Sequence, residues 1–182
     1  SIRMTSLVED LLLLARLDEG QNLQLADVDL AQIVRDALSD AYVTSPEHEW
    51  GAVGIEGPVM VRADGSALHQ VVVNLLANAR VHTPPATSVE VRVTQDDDRT
   101  VLQVEDSGPG IPRQARKNLF QRFARGDSSR ARTSGSTGLG LSIVDTIVKA
   151  HGGEVTLTSK PGKTVFTVSL PRLKVAKTSP IP

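Results

Sequence analysis

Three groups of residues in this chain have types and spacings that suit chemistry. The first is SGSTGLGLSIV, residues 134–144, where Gly135, Gly138 and Gly140 precede a helical apolar pattern. Ordering glycine costs conformational entropy, so a cluster needs a reason. One reason is a backbone brought close to an anion, with amides at a helix start facing it. The second is VEDSGPGIP, residues 104–112. A strand delivers Asp106, and Gly108 and Gly110 turn the chain away. An acid so placed can accept a hydrogen bond from a flat ligand with an exocyclic amine, such as adenine. The third is Asn74-Leu-Leu-Ala-Asn78. Asparagines are poor interior helix residues, and two spaced by four share one helix face. Their amide oxygens are hard, neutral ligands, suited to a Mg²⁺ held mostly by water and phosphate.

Each group alone has a plainer reading: a ligand-free loop, an Asp-Ser-Gly turn, a solvated helix edge. The apolar neighbours of the asparagines strain the last of these. The glycine cluster matches neither GxxxxGK[ST] nor GxGxxG. Asp96-Asp97-Asp98 has the residue type of a metal site but the setting of a solvated hairpin tip.

These groups need elements to position them. The 182 residues suffice for one domain and an appendage. The charge, 20 basic against 21 acidic residues, gives no pull toward nucleic acid or an anionic membrane. With 3% aromatic residues, the core must rest on Leu, Val, Ile and Ala. The lack of cysteine excludes disulfides, thiolate chemistry and Cys-ligated zinc. Nothing resembles a signal peptide, and the apolar run Leu11–Ala15 is too short to span a bilayer, so the chain is expected to be soluble.

Residues 1–19 predict a helix whose wide apolar stripe (Met4, Leu7, Leu11, Leu14, with Val8, Leu12, Leu13 and Leu17) needs more than one partner surface. It suits either packing on its own domain or a helical-bundle dimer. Leu23–Val28 predicts a strand, Asp29 caps a helix over 30–44, and short strands are expected at 49–55 and 58–62. Asp64 or Ser66 starts a helix at 66–82 that Pro84-Pro85 ends. SVEVRVTQ and TVLQVED alternate with period two and form a hairpin. A helix over 139–151 stops at Gly152-Gly153, and strands at 154–159 and 164–170 close around KPGK. Strands and helices mixed with hairpins argue for a largely antiparallel α+β sandwich.

In chain order, NLLANARVHT, VEDSGPGIP, LFQRFARGD and GSTGLGLSIV resemble the N box, first glycine box, F box and second glycine box of the ATP-binding catalytic domain of bacterial sensor histidine kinases. The leading MTSLVEDLLLLARLDEG resembles the end of the second helix of the kinase dimerisation bundle. The resemblance covers roughly residues 1–171. It implies the Bergerat fold, an α+β two-layer sandwich whose mixed, mostly antiparallel sheet carries helices on one face. It also implies three regions: a bundle helix end over 1–20, a catalytic domain over 21–171 with a lid at about 111–137, and a flexible tail over 172–182.

The resemblance also implies residue roles. Asn78 is the Mg²⁺ ligand, with Asn74 beside it near the phosphates. Asp106 reads the adenine amine with help from a water. Gly108 and Gly110 let the chain pass over the base, with Ile111 following. Gly138 and Gly140 put amides against the phosphates, within the segment Thr137, Gly138, Leu139, Gly140, Leu141. Phe120 and Phe123 match the F box. The lid carries Arg113, Arg116, Lys117, Arg122, Arg125, Arg130 and Arg132, of which Arg130 is the favoured phosphate contact. Asn74, Asn78 and Arg130 make the catalytic set. His82 is a nucleotide-pocket wall, and Thr164 lies near the adenine.

Two departures stand out. Where many relatives have Lys-Tyr or Lys-His after the N box, this chain has Val81-His82, with Arg80 one position off. The phosphoacceptor histidine of a motif like HELRTPL is absent: His48, His69, His82 and His151 lie in other settings, and the acceptor is expected on a preceding helix outside this chain. Hydrolysing superfamily members usually have a glutamate four residues before the metal asparagine. Here that position is Asn74, which accepts no proton at neutral pH. The resemblance thus implies transfer of the ATP γ-phosphoryl group to a bundle histidine, for relay to a response regulator. The alternatives are an ATPase or serine kinase on the same fold, or a nucleotide-binding module without turnover. The parent protein is expected to be a homodimeric inner-membrane receptor with a cytoplasmic catalytic end, and this chain alone a monomer.

Overall fold

The computed structural model describes residues 2–18, 23–122 and 138–172, with side chains from residue 8 in the first stretch and to residue 16. Two aspartates set the start of the fold. Asp29 ends strand β1 (Ala26–Asp29) and caps helix α2 (Leu30–Thr44). Its Oδ1 accepts from the N–H of Ala31 at 3.0 Å and of Val59 at 2.8 Å, so one carboxylate closes both a helix end and a distant loop. Strand β2 (Glu49–Val53) follows, then β3 (Met60–Ala63), which pairs antiparallel with β1 in a two-stranded ribbon. Asp64 then caps helix α3 (Gly65–His82), accepting from Ala67 N–H at 3.1 Å and from Gln24 N–H at 3.0 Å.

Strands β4 (Ser88–Gln95) and β5 (Arg99–Asp106) form the expected hairpin. Asp96 organises its tip, accepting from the N–H groups of Asp98 and Arg99, and those bonds hold its carboxyl below the ordinary carboxylate value. The aspartate run is therefore a turn device. A single helical turn, α4 (Arg113–Arg116), helix α5 (Gly140–Ala150) and strands β6 (Glu154–Lys160) and β7 (Lys163–Pro171) complete the order. The main sheet runs β2-β4-β5-β7-β6, with only β2 and β4 parallel. Helices cover one face, giving a mixed, mostly antiparallel two-layer sandwich.

Strand periodicity puts Val89, Val91 and Val93 of β4, Leu102 and Val104 of β5, and Phe166, Val168 and Leu170 of β7 on the covered face. Facing them are Val71, Val72, Leu75 and Leu76 of α3 and Ile143, Val144, Ile147 and Val148 of α5. His151 sets how these two helices lie. Its Nδ1 lies 2.7 Å from the Ile147 carbonyl and its Nε2 3.0 Å from the Asp64 N–H. The first must donate and the second accept, so one neutral tautomer ties the end of α5 to the start of α3. The helices are thereby antiparallel, and the start of α5 falls beside the middle of α3.

Element boundaries differ from the sequence expectations where no cap marks them. The first strand begins at Ala26, not Leu23, and β2 and β3 each differ by a residue or two, because pairing partners end a strand and these are invisible in local pattern. Helix α1 (Ile2–Asp18) uses one edge on its own domain: Leu14 is 1% exposed, and Leu13 packs beside it. Val8, Leu11 and Leu12 are 54%, 41% and 50% exposed, so much of the apolar stripe is uncovered. No helix among the described residues is long and apolar enough to cross a membrane.

Leu75 is fully buried between α3 and the sheet. Leu75→Ala should cost about 3 kcal/mol of folding free energy, read as a lower urea midpoint at unchanged slope.

Candidate functional site

Asp106 occupies the last position of β5, in step with Leu102 and Val104, so the strand period turns its carboxylate to the covered face. It is 6% exposed. Oδ1 accepts from the Gly108 N–H at 2.9 Å, while Oδ2 has no hydrogen-bond partner among the described residues. Burial pushes its acidity down, raising the pKa above the ordinary value; the Gly108 bond opposes this and Glu105 adds to it. Its register partner on β7 is Thr164, also buried. Thr164 Oγ1 lies 3.0 Å from Ser159 Oγ, and Ser159 Oγ accepts from the Ile111 N–H at 2.8 Å.

The two glycines after Asp106 are required by protein contacts. A Cβ on Gly108 would stand 2.6 Å from Thr83 Cγ2 and 2.7 Å from Asp106 Oδ1. Gly110 has φ +81°, and a Cβ there would stand 2.8 Å from the Lys160 carbonyl of the β6–β7 turn. That turn also donates Gly162 N–H to the Gly108 carbonyl at 2.8 Å. The loop after β5 is thus seated on the closing hairpin.

Asn74 and Asn78 lie on α3, half-buried, one turn apart. Asn74 Nδ2 is buried and has no hydrogen-bond partner among the described residues. A buried donor without an acceptor costs about 1–3 kcal/mol, so this atom marks a place for an acceptor from outside the described residues. Gly140, the first residue of α5, lies against it: a Cβ there would meet Asn74 Oδ1 at 3.6 Å. Helix α5 has no side-chain cap and no acidic residue in its first turn. Gly138 enters it with φ +72°, Leu139 is fully buried, and Leu141 is buried on the core side. A helix start with no side-chain cap among the described residues, beside the Asn74 amide, is suited to an anion.

Helix α3 links the two halves. Asn74 meets the α5 start, Asn78 follows with no side-chain hydrogen bond among the described residues, and Thr83, the C-cap, meets Gly108 beside Asp106. His82 is exposed, and partial desolvation lowers its imidazole pKa, favouring the neutral ring. Arg116 is engaged through Nε with the Ile111 carbonyl at 2.7 Å. Phe120 packs edge-on against Phe166 at 6.4 Å between ring centres. Phe123, Arg125, Arg130, Arg132 and Thr137 lie outside the described residues, as does the lid stretch from 123 onward. An open groove of about 720 Å³ between the starts of α2 and α3 contains none of these groups.

Two residues beside the site were not singled out from the sequence: Thr83, the last residue of NLLANARVHT, and Ser159. Ser159 was within reach, because the Pro161-Gly162 loop pairs Lys160 with Lys163 and so Ser159 with Thr164. The contact of Thr83 with Gly108 joins distant segments and leaves no local signal.

The model of the histidine kinase-, DNA gyrase B-, and HSP90-like ATPase family matches residues 63–174. The chain is 54% identical over 93% of its length to the probable sensor histidine kinase TcrY of Mycobacterium tuberculosis, and 46% identical over 94% to the sensor histidine kinase TrcS of the same organism. It spans 36% and 35% of those proteins, about a third of their lengths. Among solved structures, the mycobacterial sensor histidine kinase MprB superposes with a TM-score of 0.72 at 33% identity, covering 82% of this chain and 100% of that one. Full-length ShkA in complex with AMPPNP gives 0.75 at 30% identity, covering 98% and 37%.

Two predictions follow from the site's geometry. With a raised acid pKa, the folded state holds the Asp106 proton to higher pH than the unfolded chain, so stability falls as pH rises above the ordinary value of 3.8. Asp106→Asn, which keeps the Gly108 bond, should be more stable than wild type at pH 7, with the gap closing toward pH 4 in denaturant titrations. Gly110→Ala should cost about 1–3 kcal/mol through its left-handed backbone, whereas Gly140→Ala should stay within about 0.5 kcal/mol of wild type in the same assay.

Proposed function

Because this chain belongs to the histidine kinase-, DNA gyrase B-, and HSP90-like ATPase family, we propose that it is the ATP-binding catalytic domain of a sensor histidine kinase, passing the γ-phosphoryl group of ATP to a histidine on a dimerisation bundle. The observation that carries this reading is the arrangement along α3. A buried carboxylate with a spare oxygen stands near its C-terminal end, and at its middle Asn74, whose Nδ2 has no hydrogen-bond partner among the described residues, lies against the start of α5, which has no side-chain cap.

In this reading Asp106 Oδ2 accepts the adenine amine, while Oδ1 is fixed by Gly108. The Thr164–Ser159 hydroxyl pair offers further polar contact beside the base. At the middle of α3, Asn74 Nδ2 and the first amides of α5, within Gly138, Leu139, Gly140 and Leu141, hold phosphate oxygens. Asn78 offers its amide oxygen to Mg²⁺, which when bound would neutralise phosphate charge. Phosphoryl transfer asks mostly for positioning and charge stabilisation, which these groups supply. Cations of the 111–137 lid, Arg130 foremost, would close over the phosphates. His82, at the end of α3, would wall the pocket.

Asn74 is not a base, so the site lacks a group to activate water there, which favours transfer to a protein over hydrolysis. The uncovered Val8, Leu11 and Leu12 support residues 1–20 as the end of a bundle helix, with 21–171 as the catalytic domain. A response regulator would then receive the phosphoryl group, and the parent would be a homodimeric membrane receptor.

The test is nucleotide affinity by calorimetry. Asp106→Ala should weaken ATP and ADP at least about tenfold, with or without Mg²⁺. Asn78→Ala should weaken only the Mg²⁺-dependent part. The chain alone should not label itself, whereas a bundle polypeptide carrying the acceptor histidine should gain acid-labile phosphate. No binding of ATP or ADP at millimolar concentration would sink the proposal, and brisk hydrolysis by the chain alone would replace it with an ATPase.

A further inference from the structure

His48 belongs to the connection between α2 and β2, far in sequence from every motif of the site. It is 6% exposed, and its ring lies 5.6 Å from that of Trp50. A ring buried this deeply needs partners for its polar atoms. Nε2 lies 3.0 Å from Thr83 Oγ1. The Thr83 hydroxyl has one proton and gives it to the Ala79 carbonyl at 2.8 Å. Oγ1 can therefore only accept from the ring, so Nε2 carries the hydrogen. Nδ1 has no hydrogen-bond partner among the described residues, and Glu47 Oε1 lies 3.5 Å from it.

Thr83 is the point where this bond acts on the site. Thr83 sits just past the helix with extended backbone, and its Oγ1 carries both the bond to the Ala79 carbonyl and the one from the His48 ring. The two partners together hold the side chain with Cγ2 turned onto Gly108, where a Cβ would be 2.6 Å away. The Gly108 N–H in turn holds Asp106 Oδ1 at 2.9 Å. Three contacts in series join His48 to the carboxylate. Asn74, with Gly140 of α5 against it, lies more than two turns back along α3, outside the series.

We propose that His48 is a positioning residue for the base end of the nucleotide site: its Nε2–H fixes the Thr83 side chain, whose methyl seats Gly108 and so aims Asp106. The inference rests on the nucleotide reading above. It adds a residue that touches no ligand and acts on base recognition alone.

The test combines two readouts on the whole chain: ADP affinity with and without Mg²⁺, and hydrogen exchange of the Gly108 amide without nucleotide. His48→Phe keeps the ring and its burial but removes the donor. It should speed Gly108 exchange and weaken ADP about five- to tenfold, equally with and without Mg²⁺. His48→Gln, whose Nε2 donor reaches a similar position, should restore most of both. Thr83→Val breaks the link from its other end and should match His48→Phe, and the double variant should be no worse than either. If His48→Phe does not fold, Thr83→Val carries the same readouts. A lowered melting temperature with wild-type ADP affinity and wild-type Gly108 exchange would reduce His48 to core packing and overturn the proposal. Failure of the wild-type chain to bind ADP would overturn the nucleotide reading and this inference together, whereas binding that His48→Phe leaves unchanged would overturn this inference alone.

Discussion

Helix α3 is held at each end by a histidine from a distant part of the chain, and the candidate site takes its geometry from that double anchorage. At the start, His151 Nε2 accepts the Asp64 N–H while its Nδ1–H closes on α5. At the end, His48 Nε2–H reaches Thr83. Hydrogen bonds weaken steeply with distance and angle, so α3 cannot slide by a residue without losing both. Apolar packing between α3, α5 and the sheet gives the larger energy, but it is non-directional and would tolerate small shifts. The polar anchors remove that freedom.

With α3 fixed, the other groups fall into place by simple rules. Antiparallel packing of α5 brings its start to Asn74. The period of β5 turns Asp106 inward at the same end of the sheet, and the β6–β7 hairpin supports the loop that leaves it. The result breaks the usual rules of a core in two places. Among the described residues, a carboxylate is buried without a cation, and an amide donor is buried without an acceptor. Both are unfavourable for folding alone, and both sit where the family's nucleotide chemistry is expected. Departures from local consistency of this kind concentrate at functional sites, where a ligand supplies the missing partner.

The fold was legible in the sequence wherever a local signal is strong. Asp29 and Asp64 mark helix starts because a carboxylate beside free amides is worth having only there. The β4–β5 hairpin follows from period-two alternation, and the β6–β7 pair from the turn KPGK between two short strands. The start of β1 and the ends of β2 and β3 were not legible, since a strand ends where its partner ends. The exposure of Val8, Leu11 and Leu12 likewise depends on what α1 packs against, not on its own periodicity.

For the site the division is similar. Residue types and spacing alone marked Asn74, Asn78, Asp106 and the glycines, because each motif is a short segment whose chemistry is carried by its own residues. The sequence could not decide why Gly108 and Gly110 must be glycine, which oxygen of Asp106 is spare, or that His48 and Thr83 touch. Those facts are contacts between segments tens of residues apart, set by how α3 packs on the sheet and on its neighbours. Pairwise geometry of that kind has no local trace in a chain, so only the tertiary structure could supply it.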